Sequence, residues 1–315
     1  MNDDPAVLDQ NADALPTPTI SKEQIVAFAR TASLEVTMPS DAEIDRMASL
    51  LPARTEVFLS DIPRRSAQDV VGTCARIAGA GLLPVPHFAV RRFDSAPSFE
   101  RVLRDCATTG FARKAMLVAG DHDPPAGPFT DVAAALGEGT LKHWGIEAVA
   151  IAGYPEGHPR IATAALDEAL AKKLALLKEQ GLNRKIVSQF GFDHGALRDW
   201  LGGLRGGGVT VPLALGMAGP ASATALAKFA MRCGVRTSMR GLMRGAGRIG
   251  RALTRQDCNS LIGPLAGLAG DAGNGLVTAH FFSFGGAVRT AEWIAAAQSG
   301  RFEIGDGGIE PHSPT

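Results

Sequence analysis

The sequence predicts a single α/β domain, a closed (β/α)8 TIM barrel, on three observations. Short apolar, β-branched runs alternate with longer segments of helical period, eight times over in about 270 residues. Such alternation implies parallel pairing, because a parallel neighbour is reached only through a crossover. The first run is followed by MPSDAE, not by the GxGxxG turn that opens many doubly wound sheets. An open sheet is therefore the second choice and a closed barrel the first.

The runs occupy residues 33–39 (SLEVTMP), 56–61 (EVFLSD), 82–90 (LLPVPHFAV), 114–121 (KAMLVAGD), 147–154 (EAVAIAGY), 185–192 (KIVSQFGF), 209–217 (VTVPLALGM) and 276–284 (LVTAHFFSF). Helical period fills 41–51, 67–80, 99–108, 159–180, 194–204, 221–232 and 287–298. About 60 residues separate the last two runs, which calls for an extra helix or two there. Residues 1–20, rich in Asp, Pro and Ala, read as a disordered tail, and 304–315 as a C-terminal tail. One barrel domain over 21–303 is left between them.

Lys and Arg number 32, as do Asp and Glu, so the formal net charge is zero. That excludes a chain that coats nucleic acid or a membrane through bulk charge. No apolar run approaches the ~20 residues of a membrane span, and the acidic N-terminus lacks the apolar core of a secretory signal. The four cysteines show neither CxxC spacing nor a zinc-ligand pattern with histidine, as in a reduced, cytoplasmic protein that binds no metal. A homo-oligomer is left open. The zero sum hides one asymmetry, since no acidic residue stands between Asp199 and Asp257. Seven arginines from Arg232 to Arg255 follow one another at spacings of three and four there. Gly241, Gly245, Gly247 and Gly250 argue against one continuous helix. A solvated basic face is one reading of this stretch; a grip on anionic ligand groups, with Arg240 and Arg244 central, is the other.

Barrels of this class carry their chemistry at the carboxyl ends of the strands. Glu35 in the first run alternates with Leu34 and Val36, so it points into the barrel, where a carboxylate is costly unless paired or functional. Ser60 ends the second run, His87 lies in the third, and Gly120-Asp121 ends the fourth. The fifth run leads into GYPEGHP, with Tyr154, the chain's one tyrosine, and His158 in a loop stiffened by two prolines. Gln189 lies in the sixth run and His280 in the eighth.

SLEV, LVAGD, GYPEGHP and SQFGFD, in this order, resemble the methylenetetrahydrofolate reductase family, a group of flavoprotein barrels, and the likeness spans roughly 30–298. GYPEGHP is its most specific element. The resemblance implies FAD held by Ser60, His87, Val118, Gly120, Asp121, Tyr154 and His158, with Asp167 and Lys172 in the next helix. It implies Glu35 as general acid, Asp121 as a carboxylate near flavin and pterin, and a folate contact from Gln189; His280 is a further substrate-binding candidate by its place in the eighth strand. The implied reaction interconverts 5,10-methylenetetrahydrofolate and 5-methyltetrahydrofolate by hydride transfer through flavin N5, with NAD(P)H as electron donor and a folate, polyglutamylated or not, as substrate. Protonation of folate N10 opens the bridging ring to an N5 iminium, so the acid needs a pKa near the working pH; burial is expected to raise Glu35 toward it. Ala119, Met243 and Ser283-Phe-Gly-Gly depart from residues common in that family, chiefly at folate and nicotinamide contacts. Two other readings stand beside this one: the same chemistry run mainly as a 5-methyltetrahydrofolate oxidase, and a folate- or flavin-binding subunit without activity.

Overall fold

The computed structural model describes residues 20–60, 66–108, 113–233, 258–305 and 307–312. Residues 1–19 of the predicted N-terminal tail lie outside them, and so do Arg240 and Arg244. Eight strands run β1 (Ser33–Val36), β2 (Glu56–Leu59), β3 (Leu83–Ala89), β4 (Lys114–Val118), β5 (Ala148–Gly153), β6 (Asn183–Ser188), β7 (Leu213–Ala218) and β8 (Val277–Phe282). They pair in sequence order, every pair parallel, and β8 closes on β1. The predicted barrel is the observed one.

Period-two alternation sorts the strand side chains into two cores. Leu34 and Val36 of β1 face the surrounding helices and are buried there with Phe28 and Ile44. Positions of opposite parity point inward. A plug of Phe58, Val85, Met116, Ala150, Val187 and Ala214 fills the barrel's middle, one residue from each of six strands. The interior is thus packed rather than a pore. At the amino ends of the strands Glu56 accepts from Lys114 and from Lys185, the latter at 2.9 Å. Above the plug, at the carboxyl ends, lies the candidate site.

The helices in order are α1 (Lys22–Ala29), α2 (Asp41–Leu50), α3 (Ala67–Gly79), α4 (Ala96–Thr108), α5 (Val132–Gly137), α6 (Thr140–His143), α7 (Thr163–Glu179), α8 (His194–Gly206), α9 (Ala223–Cys233), α10 (Cys258–Gly270) and α11 (Ala287–Gln298). The starts of α1, α2 and α3 are fixed by capping boxes, Ser21 with Gln24, Ser40 with Glu43 and Ser66 with Asp69. The long gap before the last strand holds α9 and α10, as its length required. Three corrections concern boundaries. The predicted run 209–217 becomes strand only at Leu213, because Arg205 clamps the preceding turn, donating to the carbonyls of Val209 at 2.6 Å, Val211 at 3.1 Å and Asn274 at 2.7 Å. Helix α7 starts at Thr163 and not at residue 159, since His158 and Ile161 form a β-bridge first. The stretch 304–315, expected to be a tail, instead continues into an antiparallel hairpin of β9 (Phe302–Gly305) and β10 (Gly308–Pro311). Its Phe302 and Ile309 are buried in the helix-side core, which is the burial that holds it in place.

Candidate active site at the carboxyl end of the barrel

Glu35 sits at the floor of a cavity of about 320 Å³. Its inward aim follows from strand parity: in register it pairs with Phe58 of β2 on one side and Phe282 of β8 on the other. Ser60, just past β2, donates its hydroxyl to Glu35 Oε1 at 2.7 Å. Two imidazoles approach Oε2, with His280 Nε2 at 3.5 Å and His87 Nε2 at 3.8 Å. Behind His280, Nδ1 meets the Ser33 hydroxyl at 2.8 Å. Ser33 and Glu35 share the inward face of β1, so one strand supplies both ends of the chain Ser33–His280–Glu35. Phe58 meets both imidazoles edge-on, at ring-centroid distances of 5.8 Å for His87 and 4.8 Å for His280.

Burial raises the Glu35 carboxyl, its largest single influence; the charges of His87 and His280 and hydrogen bonds from His280 and Ser60 outweigh it, and the net direction is down. The expectation of a raised carboxyl is corrected on this point, because sequence parity revealed burial but not the two imidazoles. Burial also lowers the proton affinity of His87, against the pull of Glu35 and with the push of His280. His87 Nε2 is buried and has no hydrogen-bond partner among the described residues. The residue lines the cavity, with Nε2 turned toward Glu35 Oε2.

One wall of the cavity is aromatic. Phe229 of α9 and Phe284 beyond β8 stack at 4.1 Å with 14° between planes, and Phe282 lies nearly parallel to Phe284 at 5.6 Å. Gly216 of β7 makes room for this wall, since a Cβ there would come within 2.8 Å of the Phe282 ring and 2.5 Å of the Ser188 carbonyl. Val118, Ala152 and Tyr154 line other sides, with Ser188 and Gln189 from β6 and its end. The Gln189 carbonyl oxygen already accepts from Phe190 N at 3.1 Å, which leaves its NH2 to meet a ligand. Phe229, Phe282 and Phe284 were missed as site residues in the sequence. The i, i+2 spacing of Phe282 and Phe284 was a signal for one shared face; the arrival of Phe229 was not legible.

The sequence candidates divide by position. Glu35, Ser60, His87, Val118, Tyr154 and Gln189 come together around this cavity. His280 does not line it: fully buried behind Glu35, it is no surface for substrate, which corrects its expected role. Gly120 has φ +85° and presses on Ala89, where a Cβ would meet the Ala89 Cβ at 2.8 Å. It turns the chain so that Asp121 is exposed at the rim. There the Asp121 charge acts on His158, whose proton affinity is lowered first by burial, then by Arg160, and raised by Asp121. His158 packs edge-on against Tyr154 at 5.5 Å. Asp167 lines a neighbouring cavity of about 270 Å³ with Tyr154 and Glu156. Lys172 is exposed and does not line it; its neighbour Lys173 does, because the one-residue rotation of 100° turns it inward. The expected Lys172 contact is corrected accordingly.

No family model matches the chain. In fold, the chain is similar to an uncharacterized protein from Clostridium thermocellum that binds two copies of 5-methyl-5,6,7,8-tetrahydrofolic acid. The TM-score is 0.56 at 12% identity, over 87% of this chain and 96% of that one. The 3-dehydroquinate dehydratase from Aquifex aeolicus VF5 aligns with a TM-score of 0.45 at 10% identity, over 85% of this chain and 97% of that one. Likeness at the first of these levels shows the barrel fold. Among the described residues no helix is long and apolar enough to cross a membrane.

Proposed function

We propose that the protein binds a reduced folate in the cavity above Glu35 and, as an FAD-dependent reductase, interconverts 5,10-methylenetetrahydrofolate and 5-methyltetrahydrofolate, with NAD(P)H as electron donor. One observation carries this reading: a half-buried carboxylate, hydrogen-bonded by Ser60, faces a cavity with a flat aromatic wall. A pterin is a flat heteroaromatic ring with basic nitrogens, and it asks for that combination of a stacking face and a proton source. The folate-binding barrel from Clostridium thermocellum supports the ligand class by analogy of fold.

The donor set fits FAD as well. His87, Ser60, Val118 and Tyr154 share the cavity, and His158 with Asp121 stands at its rim. These residues would hold the cofactor, and Asp167 with Lys173 would meet its outer portion in the adjoining cavity. Bound FAD supplies a ring that accepts and donates hydride. The chain's own part is to bind, orient and protonate. Glu35 Oε2 delivers a proton to folate N10, which opens the bridging ring and leaves an electrophilic N5 iminium. A ligand that seals the cavity strips the remaining water from Glu35 and strengthens its hold on that proton until transfer. Phe229 and Phe284 fix the pterin plane, and the Gln189 amide meets its polar edge.

The test is the visible spectrum of the purified protein, followed anaerobically. A flavin band bleached by NADH or NADPH and restored by 5,10-methylenetetrahydrofolate supports the reductase. Bleaching by 5-methyltetrahydrofolate with no response to either nicotinamide would turn the same site into an oxidase. A colourless protein that takes up no FAD yet binds 5-methyltetrahydrofolate would remove the redox reading and keep only the ligand class.

A further inference from the structure

We propose that Glu35 and His280 hold one transferable proton between them, with Ser33 fixing the imidazole so that His280 hands to Glu35 the proton that Glu35 delivers. This rests on the reading of Glu35 as the proton donor and adds a positioning residue, Ser33, and a proton store, His280, neither of which touches the ligand cavity.

The argument is a count of protons. The Ser33 hydroxyl has one hydrogen and two acceptors within reach, the Ala279 carbonyl at 3.2 Å and His280 Nδ1 at 2.8 Å. Both contacts are made at once only if Ser33 donates to Ala279 and Nδ1–H donates to Ser33. The opposite assignment leaves the Ala279 contact empty. With Nδ1 protonated, a neutral His280 presents a bare Nε2 lone pair to Glu35 Oε2, 3.5 Å away. Two bare acceptors facing each other in a buried site repel, so a proton must stand between them. It lies either on Nε2, giving an imidazolium and a carboxylate, or on Oε2, giving an imidazole and a carboxylic acid. Both states carry the same total charge of zero, and the pair keeps its proton at a pH where a lone carboxyl would have lost it.

The groups facing Glu35 from the packed elements are His280 of β8, His87 of β3 and Ser60 beyond β2. Ser60 is spent on Oε1. His87 is a poorer store: it lies farther from Oε2, and nothing among the described residues fixes its Nε2. In the forward direction the Nε2–H bond breaks as the one proton passes to Oε2, and the Oε2–H bond so formed breaks as the same proton passes to the ligand nitrogen. His280 is left neutral with Nδ1–H still on Ser33, and Glu35 is left as the carboxylate. Solvent recharges the pair through Glu35 once product leaves; in reverse each bond re-forms in the opposite order.

Nitrogen-15 NMR of histidine-labelled protein tests this without folate or flavin. The native His280 is expected to carry Nδ1–H, with Nε2 sharing its proton with Glu35 Oε2. Glu35→Gln removes the group that shares this proton, so the Nε2 resonance is expected to move while Nδ1–H stays on Ser33. A native His280 with bare Nδ1, or an Nε2 resonance unmoved by Glu35→Gln, would overturn the proposal. Ser33→Ala is the gentler second variant, with the tautomer freed and Nε2–H gaining population at neutral pH; an unchanged tautomer would remove Ser33 from the device. Where folate turns over, Ser33→Ala shifts the pH profile of the folate step to lower pH and leaves flavin reduction unchanged. A protein that passes the NMR test but turns over no folate loses the reductase reading and keeps the proton pair. One that reduces folate with a bare Nδ1 does the reverse.

Discussion

Phe229 and Phe284 stack face to face at 4.1 Å, although one belongs to α9 and the other to the segment that follows β8. The contact joins the helix after β7 to the strand beside it and creates a flat wall over the carboxylate of Glu35. Aromatic pairs of this geometry contribute about 0.5–1.5 kcal/mol beyond their buried area. Phe229→Ala should therefore weaken 5-methyltetrahydrofolate binding about tenfold, read by calorimetry. Phe284→Ala should do the same, and the double variant should lose less than the sum, because each ring holds the other. Unchanged affinity in both single variants would mean that the pterin lies elsewhere.

Glu35→Gln keeps the shape and the Ser60 contact but carries no proton to give. Anaerobic stopped flow should show flavin reduction by the donor at its native rate. The folate step should fall by about 10²–10⁴-fold, the range that a positioned acid contributes. Equal losses in both halves would make Glu35 a structural residue.

At the opposite end of the barrel Glu56 is held between Lys114 and Lys185. Burial raises its carboxyl, but the Lys185 charge, with hydrogen bonds from both lysines, brings it down to about 2. A carboxyl depressed on folding contributes stability that is full above its unfolded pKa of about 4.5 and is lost as pH falls toward about 2. With Lys114 partly exposed, the contribution is on the order of 2–3 kcal/mol. Glu56→Gln should cost about that much in urea unfolding at pH 7, and the gap to the native protein should shrink through the interval below pH 4.5. A gap that is the same at pH 7 and pH 3 would contradict the ion-pair account.

Gly216→Ala places a methyl 2.5 Å from the Ser188 carbonyl, which is backbone and cannot swing aside. Overpacking of this kind costs about 1–3 kcal/mol. The variant should melt lower and bind folate more weakly, since relief of the clash pushes Phe282 and its neighbour Phe284 out of plane. An equal melting temperature would show that β7 can shift without cost.

The barrel was legible because it rests on local signals. Alternation along SLEV and EVFL sets which residues face in, and the absence of a glycine-rich turn after the first strand argued against an open sheet. The same parity marked Glu35 as a buried carboxylate, and GYPEGHP marked the rim loop that carries Tyr154 and His158. The C-terminal hairpin was missed because its four-residue strands are too short to show a period; only the burial of Phe302 and Ile309 against the helix layer makes them strands.

The charge state of the site was not legible at all. His280 lies 245 residues from Glu35 in sequence, and Phe229 reaches the cavity from a helix whose periodicity only marked it as amphipathic. Closure of β8 onto β1 brings the first pair together, and stacking across the mouth brings in the second ring. The sequence by itself determined the barrel, its inward-facing carboxylate and its proline-bound loop, because strand parity and turn chemistry act over a few neighbouring residues. Only the tertiary structure decided which groups surround Glu35, that His280 stands behind it, and that Lys173 rather than Lys172 turns inward. Those outcomes depend on distances of 3–4 Å across the barrel, and such distances exist only once the ring of strands has closed.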